Sequence, residues 1–141
     1  MEKMQKYVLS EIKSLKIPLK KPQIIFLKGE LWAWKTTLSK YIIWDLLWVK
    51  EEITSPTYTY YNKYRWNFDW EEIDIYHFDL YRLKNYDEFF AIGWEEILDN
   101  NEGIILIEWP DIISDYYNSD LLIEIFKTDD DNKREIKITS F

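Results

Sequence analysis

A lysine and a threonine stand at the start of a predicted helix, directly after a predicted buried strand. The segment Gly29–Thr37 reads GELWAWKTT and follows the apolar run Ile24–Leu27. Glycine, lysine and threonine at this spacing are typical of a phosphate-binding loop, in which backbone amides hold phosphate oxygens, the lysine neutralises them and the threonine binds Mg²⁺. Taken alone, the pattern also fits a plain strand–turn–helix with an exposed lysine, because Trp34 replaces its second glycine.

Two acidic residues follow other predicted strands. Glu108 comes after the apolar run Ile104–Ile107, where P-loop ATPases place an acid that holds magnesium. An isolated acid there is commonly a solvated strand end, but the upstream loop favours a metal ligand. Strand alternation places His77 and Asp79 on one face, and Asp79 is predicted to lie near the metal or to orient an attacking water.

His77 has two interpretations. It is the only histidine in the chain, and the chain has no cysteine, so a zinc site is not expected. The plainer interpretation is a partly buried, hydrogen-bonded strand residue, and the other is a member of the site that contains Asp79.

Composition restricts the class of protein. The chain has 141 residues, of which 47% are hydrophobic and 31% charged, so residues 1–141 are expected to form a single globular domain. A net charge of −8 argues against a broad face that grips nucleic acid. The absence of cysteine excludes disulfides and thiolate chemistry. Without a membrane-spanning run or a signal-peptide core, the expectation is a soluble cytoplasmic protein with no membrane contact.

The apolar periodicity predicts alternating helices and strands. Together they indicate an α/β fold with a mostly parallel central sheet and a C-terminal β-hairpin. The predicted helices are Met4–Leu15, Lys35–Leu47 and Tyr86–Leu98. The predicted strands are Ile24–Leu27, Thr57–Tyr64, Ile73–Phe78 and Ile104–Ile107, with a turn at Asp69–Glu72 and a hairpin of Leu121–Phe126 and Arg134–Ile138.

Five segments together resemble the TsaE (YjeE) family. These are small P-loop ATPases, with a three-layer P-loop NTPase fold, that act in making threonylcarbamoyladenosine at position 37 of tRNAs. The resemblance covers the chain from about Ile24 to Pro110. The segments are Gly29–Thr37, Thr54–Thr59 (TSPTYT), Tyr76–Leu83 (YHFDLYRL), Asp87–Gly93 (DEFFAIG) and Ile104–Pro110 (IILIEWP).

The resemblance implies a set of site residues for ATP and Mg²⁺. Lys35, Asp79 and Glu108 would be catalytic, and Thr36 and Glu108 would hold the metal. A mobile switch loop near the γ-phosphate would consist of Thr54, Ser55, Pro56 and Thr57. The nucleotide would be bound by Gly29, Glu30, Leu31, Trp32, Ala33, Trp34, Lys35, Thr36, Thr37 and Trp109.

The resemblance also implies partners. In the family, ATP hydrolysis resets a complex of the proteins TsaD and TsaB, and TsaD transfers the threonylcarbamoyl group. The acidic charge agrees with a protein partner and with tRNA reached only indirectly, through that complex.

The phosphate loop departs from the family at two positions. Trp32 and Trp34 replace glycines that let the backbone approach the phosphates, so this polypeptide is expected to bind ATP poorly. One alternative is therefore a module that keeps the fold and docks on its partner with a dead nucleotide site. A small-molecule P-loop kinase is a weaker alternative because no lid is evident and the only arginines are Arg65, Arg82 and Arg134.

Tryptophan replaces glycine elsewhere too. The chain has 3 glycines and 8 tryptophans, and Trp48 and Trp70 stand at a predicted helix end and a predicted hairpin turn. One hypothesis is that a codon read as glycine by the source, such as a reassigned UGA, was translated as tryptophan. The first set is Trp32, Trp34, Trp48 and Trp70; Trp44 and Trp66 are further candidates, Trp94 is left open and Trp109 is excluded.

Overall fold

The computed structural model describes residues 2–8, 15–30, 34–47, 60–68 and 70–141. The strands are β1 Glu2–Val8, β2 Gln23–Gly29, β3 Tyr61–Phe68, β4 Glu71–Asp79, β5 Ile104–Glu108, β6 Leu121–Lys127 and β7 Lys133–Ser140. The helices are α1 Lys35–Lys40, continued by a π-helical turn Tyr41–Leu46, α2 Tyr86–Ile92 and α3 Glu95–Asp99, with a 3₁₀ turn at Pro110–Ile112.

Within the described residues, seven strands form one sheet in the order β1-β7-β6-β2-β5-β4-β3. The four central strands β6, β2, β5 and β4 are parallel to one another. Antiparallel strands flank them on both sides, and β6 and β7 are the predicted C-terminal hairpin. The predicted α/β fold with a parallel centre is therefore confirmed.

Helices cover both faces of this sheet and make three layers. Along β2 and β5, alternate residues point to opposite faces, as strand geometry requires. One face, which includes Ile25 and Leu106, packs on α1 and its π-helical continuation through Leu38, Ile42 and Ile43. The other face, which includes Phe26 and Ile107, packs on α2 and α3 through Phe89 and Leu98. All of β5 is buried, in agreement with its continuous apolar run.

The predicted N-terminal helix, Met4–Leu15, is wrong. Residues Glu2–Val8 form a strand that pairs antiparallel with β7, with Met4 opposite Lys137. Apolar residues at positions 4 and 8 share a face in a helix and also in a strand, since they are an even number of residues apart. The segment forms a strand because it can pair with the edge of β7. Apolar periodicity alone does not show whether such a pairing partner exists. Residues 9–14 lie outside the described part of the chain.

Two other predicted helices are interrupted. The predicted Tyr86–Leu98 helix is two helices, because Gly93 adopts a left-handed φ of 86° and ends α2 there. The predicted Lys35–Leu47 helix changes from α to π geometry after Lys40. The strand predicted at Thr57–Tyr64 begins at Tyr61 in the structure and extends to Phe68. Residues 48–59 are outside the description.

Gly103 is required where the chain enters β5. A Cβ built on Gly103 would lie 2.0 Å from the carbonyl oxygen of Asp74, which is backbone and cannot rotate away. Gly103→Ala is therefore expected to destabilise the fold by about 1–3 kcal/mol, as overpacking usually does. Urea unfolding measures this, with the exposed neighbour Glu102→Ala as the control, expected to stay within about 0.5 kcal/mol. An equally small loss in Gly103→Ala would contradict the structure.

Candidate functional site

Three parallel strands bring the predicted site residues to one edge of the sheet. In the register, Glu108 at the end of β5 lies opposite Leu27 of β2 and Asp79 of β4. The loop that follows Gly29 leaves from the same edge. Ligands of open α/β sheets bind at the carboxyl ends of the strands, so this edge is the expected location of a site.

Lys35, the first residue of α1, is folded back onto the loop. Its ammonium donates to the carbonyl oxygens of Gly29 and Glu30, both at 2.6 Å. It also lies 4.1 Å from the centre of the Trp109 ring. Burial lowers the pKa of Lys35, while the negative charges of Glu108 and Asp79 act in the opposite direction. The lysine is thus a buried cation at the centre of the site, held by groups that a phosphate could replace.

Glu108 is the most enclosed acid of the site, with only 2% of its surface exposed. The Thr36 hydroxyl donates to its Oε1 at 3.4 Å, which is a long contact. The Ser39 hydroxyl lies equally far from Oε2 but makes a shorter bond, of 2.8 Å, to the carbonyl of Lys35. The carboxylate and the threonine hydroxyl are therefore close enough to bind the same small cation.

His77 lies beneath Glu108. Its imidazole is completely buried, and Nε2 is 2.5 Å from Glu108 Oε2. Its Nδ1 is buried with no hydrogen-bond partner among the residues that the structure describes. Because Glu108 can only accept when ionised, the hydrogen is assigned to Nε2. Alternation along β4 indicated that His77 and Asp79 share a face, but the contact with Glu108 depends on how the strands pair.

Asp79 and Trp109 complete the rim. Asp79 is half-buried, its amide donates to the Tyr60 carbonyl at 2.8 Å, and its Oδ1 accepts from the amide of Tyr81 at 3.1 Å. The Trp109 ring packs against Tyr81, with 4.9 Å between ring centres. Trp109 lies over Lys35, next to the expected phosphate position. Tyr81 and Ser39 are site neighbours that the sequence motifs did not single out.

A cavity opens beside these residues. Its volume of about 700 Å³ is in the range of small-molecule sites. Gly29, Glu30 and Trp109 line one side, and Phe126 and Lys127 at the end of β6 line the other. The cavity therefore adjoins Gly29 and Glu30, whose carbonyls accept from Lys35, while Lys35 itself is not part of its lining.

Part of the predicted phosphate loop has an unusual backbone for its residue type. Trp34 has a φ of 70°, in the left-handed region that glycine enters without a steric cost. Its indole is half-buried, and the guanidinium carbon of Arg134 lies 4.6 Å from its ring centre. Thr36 is half-buried, and Thr37 is exposed on α1. Leu31, Trp32 and Ala33 are outside the described residues, as are Thr54, Ser55, Pro56 and Thr57.

The other tryptophans that the sequence analysis discussed fall into two groups, with left-handed and with ordinary backbone conformation. Trp70 in the β3–β4 turn has a φ of 66°, which is also left-handed. Trp94 has an ordinary helical backbone and is buried, and Trp44 and Trp66 lie in helical and strand conformation. Trp109, which the hypothesis excludes, also has a positive φ, of 57°. Trp48 is not among the described residues.

Trp70→Gly is expected to stabilise the fold by about 1 kcal/mol, because left-handed backbone costs an L-residue roughly 1–2 kcal/mol. The Trp70 side chain is fully exposed, so little packing is lost. Urea unfolding of Trp70→Gly and of Trp70→Ala gives the comparison, since alanine removes the indole but keeps the strained Cβ. Equal free energies of unfolding for the two variants would show that the left-handed φ at Trp70 does not destabilise the fold.

Two features are absent from the described residues. No helix there is long and apolar enough to cross a membrane. No group of three or more His, Cys, Asp or Glu side chains is placed there to hold a metal ion by itself.

Comparisons with known proteins agree on one family. A family model described as "Threonylcarbamoyl adenosine biosynthesis protein TsaE" matches residues 3–136. Proteins named tRNA threonylcarbamoyladenosine biosynthesis protein TsaE are similar to the chain. The one from Rickettsia felis is 37% identical over 82% of this chain and 64% of its own length. The one from Bacillus subtilis is 30% identical over 83% of this chain and 69% of its own length.

A solved structure has a similar fold. The crystal structure of Bacillus subtilis YdiB matches with a TM-score of 0.66 and 27% identity, over 99% of this chain and 87% of that one. The chain spans slightly less than two thirds of the length of the R. felis relative. The matched range includes every predicted site residue from Gly29 to Trp109. This chain belongs to the TsaE family of threonylcarbamoyladenosine biosynthesis proteins.

Proposed function

We propose that this chain is an ATPase that serves tRNA threonylcarbamoyladenosine biosynthesis and binds Mg²⁺–ATP at the loop after β2. The observation that carries the proposal is the convergence of Lys35, Thr36, Asp79 and Glu108 at the carboxyl edge of the parallel strands. A buried cation, a hydroxyl and two carboxylates beside a cavity are the groups that phosphoryl transfer requires.

The donor set at the strand ends suits magnesium. Thr36 and Glu108 offer two oxygens that already face each other, 3.4 Å apart. Mg²⁺ commonly takes one or two protein oxygens and completes its shell with phosphate oxygens and water, so a larger protein cluster is not needed. When bound, the ion would neutralise charge on the outer phosphates.

The remaining residues would act on the phosphates and the water. Lys35 would exchange the carbonyls of Gly29 and Glu30 for phosphate oxygens and stabilise the charge that develops there. Asp79, at the half-exposed rim, would orient the water that attacks the γ-phosphorus. The bond from that phosphorus to the bridging oxygen then breaks, and ADP and phosphate leave.

We further propose that hydrolysis drives turnover of a TsaD–TsaB complex, with tRNA reached only through it. The family supports this assignment, and the net charge of −8 is unfavourable for direct grip on tRNA phosphates. A second candidate is a docking module with a dead nucleotide site. It is favoured by the half-buried indole of Trp34 where a phosphate loop normally has no side chain.

Hydrolysis assays distinguish the two candidates. In a chain carrying Trp32→Gly and Trp34→Gly, Mg²⁺-dependent ATP hydrolysis in the presence of TsaD and TsaB is expected. Lys35→Ala in that background should lower it by at least about 100-fold, the usual cost of losing one charge-stabilising donor. The matched control is Lys40→Ala, which removes an exposed cation from the same helix. Hydrolysis that survives in Lys35→Ala would contradict the ATPase proposal. TsaD–TsaB binding without hydrolysis, both in the parent chain and in the chain with glycine at positions 32 and 34, would favour the docking module.

A further inference from the structure

The chain's single histidine is buried in the sheet next to Glu108, one of the two proposed magnesium ligands. His77 is 0% exposed and lies on β4 opposite Leu106 of β5, two residues before the pair formed by Asp79 and Glu108. Its side chain reaches along the sheet to Glu108, where Nε2 meets Oε2 at 2.5 Å. None of the steps described above uses it.

The two oxygens of Glu108 have separate partners. Oε1 is directed at the Thr36 hydroxyl, and Oε2 is directed at the imidazole. The Ser39 hydroxyl has one hydrogen, and its shorter contact is to the carbonyl of Lys35, so it is a weak competitor for Oε2. His77 is therefore the close donor that determines how the carboxylate is turned.

We propose that His77 is a positioning residue, whose Nε2–H holds Oε2 of Glu108 so that Oε1 stays directed at Thr36 and at the metal ion that these two residues would share. This role rests on the proposed function, because it presupposes that Thr36 and Glu108 hold Mg²⁺. Groups that hydrogen-bond a metal-ligating side chain fix its orientation, and their loss commonly weakens metal affinity about 10- to 100-fold.

A purely structural histidine is the competing explanation. On β4, Ile75 lies two residues before His77 and shares its face of the sheet, and this apolar side chain is also almost fully buried. An imidazole with a buried Nδ1 that lacks a described partner is a poor substitute for such a side chain. Its contact with Glu108 is the interaction that an apolar residue could not provide.

The first test measures which nitrogen of the His77 imidazole carries the proton, and it needs no nucleotide. With one histidine in the chain, ¹⁵N NMR gives a single imidazole spin system. The expected result is a proton on Nε2, a bare Nδ1, and a strong change in the Nε2–H signal in Glu108→Gln. A proton on Nδ1 alone, or a signal that ignores Glu108→Gln, would overturn the proposal.

The second test measures the Mg²⁺ requirement for binding a fluorescent ADP, in the chain with glycine at positions 32 and 34. His77→Leu should raise the Mg²⁺ concentration for half-maximal binding about 10-fold or more, without changing Mg²⁺-free ADP affinity. His77→Gln, whose amide nitrogen can occupy the Nε2 position, should restore most of the loss. Tyr41→Phe is the matched control, since it removes a buried hydrogen bond to the Leu15 carbonyl away from Glu108.

The outcomes separate this role from the proposed function. An unchanged Mg²⁺ requirement in His77→Leu, or an equal increase in Tyr41→Phe, would overturn the positioning role and leave the ATPase proposal in place. An equal loss in His77→Leu and His77→Gln would also overturn it. Absence of nucleotide binding by the parent chain would overturn the proposed function, and the role of His77 with it.

Discussion

Replacing Trp32 and Trp34 by glycine is expected to raise the affinity for Mg²⁺–ADP by at least about 100-fold. A phosphate loop binds through backbone amides that come within hydrogen-bond distance of the phosphates. Loss of two such charge-assisted bonds, at about 1.5–3 kcal/mol each, corresponds to roughly 10²- to 10⁴-fold in affinity. The left-handed φ of 70° at Trp34 shows that the backbone there already has a conformation that glycine adopts without a steric cost.

Titration calorimetry of the parent chain, the two single variants and the double variant measures the effect. Trp70→Gly is the matched control, because it makes the same change at a left-handed position in the β3–β4 turn, outside the site. It should leave ADP affinity unchanged. An increase below about threefold, with ADP bound by both chains, would show that the indoles do not obstruct the phosphates and would remove the reason for a dead nucleotide site. Absence of ADP binding by both chains would favour the docking module.

A mass measurement on the protein from its native source tests the decoding hypothesis itself. Trypsin cleavage after Lys28 and Lys35 releases the fragment Gly29–Lys35, which contains both loop positions. Glycine at 32 and 34 is the expected result. Tryptophan there would mean that the substitutions are native, and ATP hydrolysis would no longer be expected of this chain.

Trp94→Gly is expected to have the opposite effect to Trp70→Gly and to cost about 3–5 kcal/mol, as loss of a large core side chain does. Trp94 is 6% exposed and sits at the centre of an aromatic cluster. Its ring makes edge contacts with Phe78 at 5.4 Å and with Phe89 at 5.7 Å. No left-handed backbone favours glycine here, since φ is −73°. We therefore expect Trp94, which the sequence left open, to be a native tryptophan.

Urea unfolding of Trp94→Gly and Trp94→Phe checks this expectation. Phenylalanine keeps an aromatic ring in the cluster and should recover much of the stability. A loss below about 1 kcal/mol in Trp94→Gly would contradict the packing that the structure shows and would place position 94 among the suspected glycines.

Local patterns were sufficient for the central strands, which are buried along most or all of their length. The apolar runs at Ile24–Leu27 and Ile104–Ile107 predicted the two central strands, and the structure places them side by side as β2 and β5. Long parallel strands must be apolar on both faces, so their sequence signal does not depend on which strand is adjacent. The hairpin of β6 and β7 was equally visible from its polar turn.

Apolar periodicity did not predict the secondary structure correctly where a segment's conformation depends on a tertiary neighbour. The N-terminal segment satisfies a helical period and a strand period, and the open edge of β7 decided between them. Similarly, nothing in the sequence around Gly93 distinguishes one long helix from two, although glycine at a helix end is common. The conformation of such a segment is determined by its tertiary partner, which a local period does not contain.

The sequence by itself determined the chemistry available to this protein: one loop lysine and threonine, two acids after strands, and one histidine. It also indicated positions where tryptophan is out of place, and the φ angles of Trp34 and Trp70 agree with that reading. Only the tertiary structure decided that His77 contacts Glu108, which lies opposite Asp79 on the neighbouring strand. The reason is that strand pairing, not spacing along the chain, brings residues 31 positions apart to 2.5 Å.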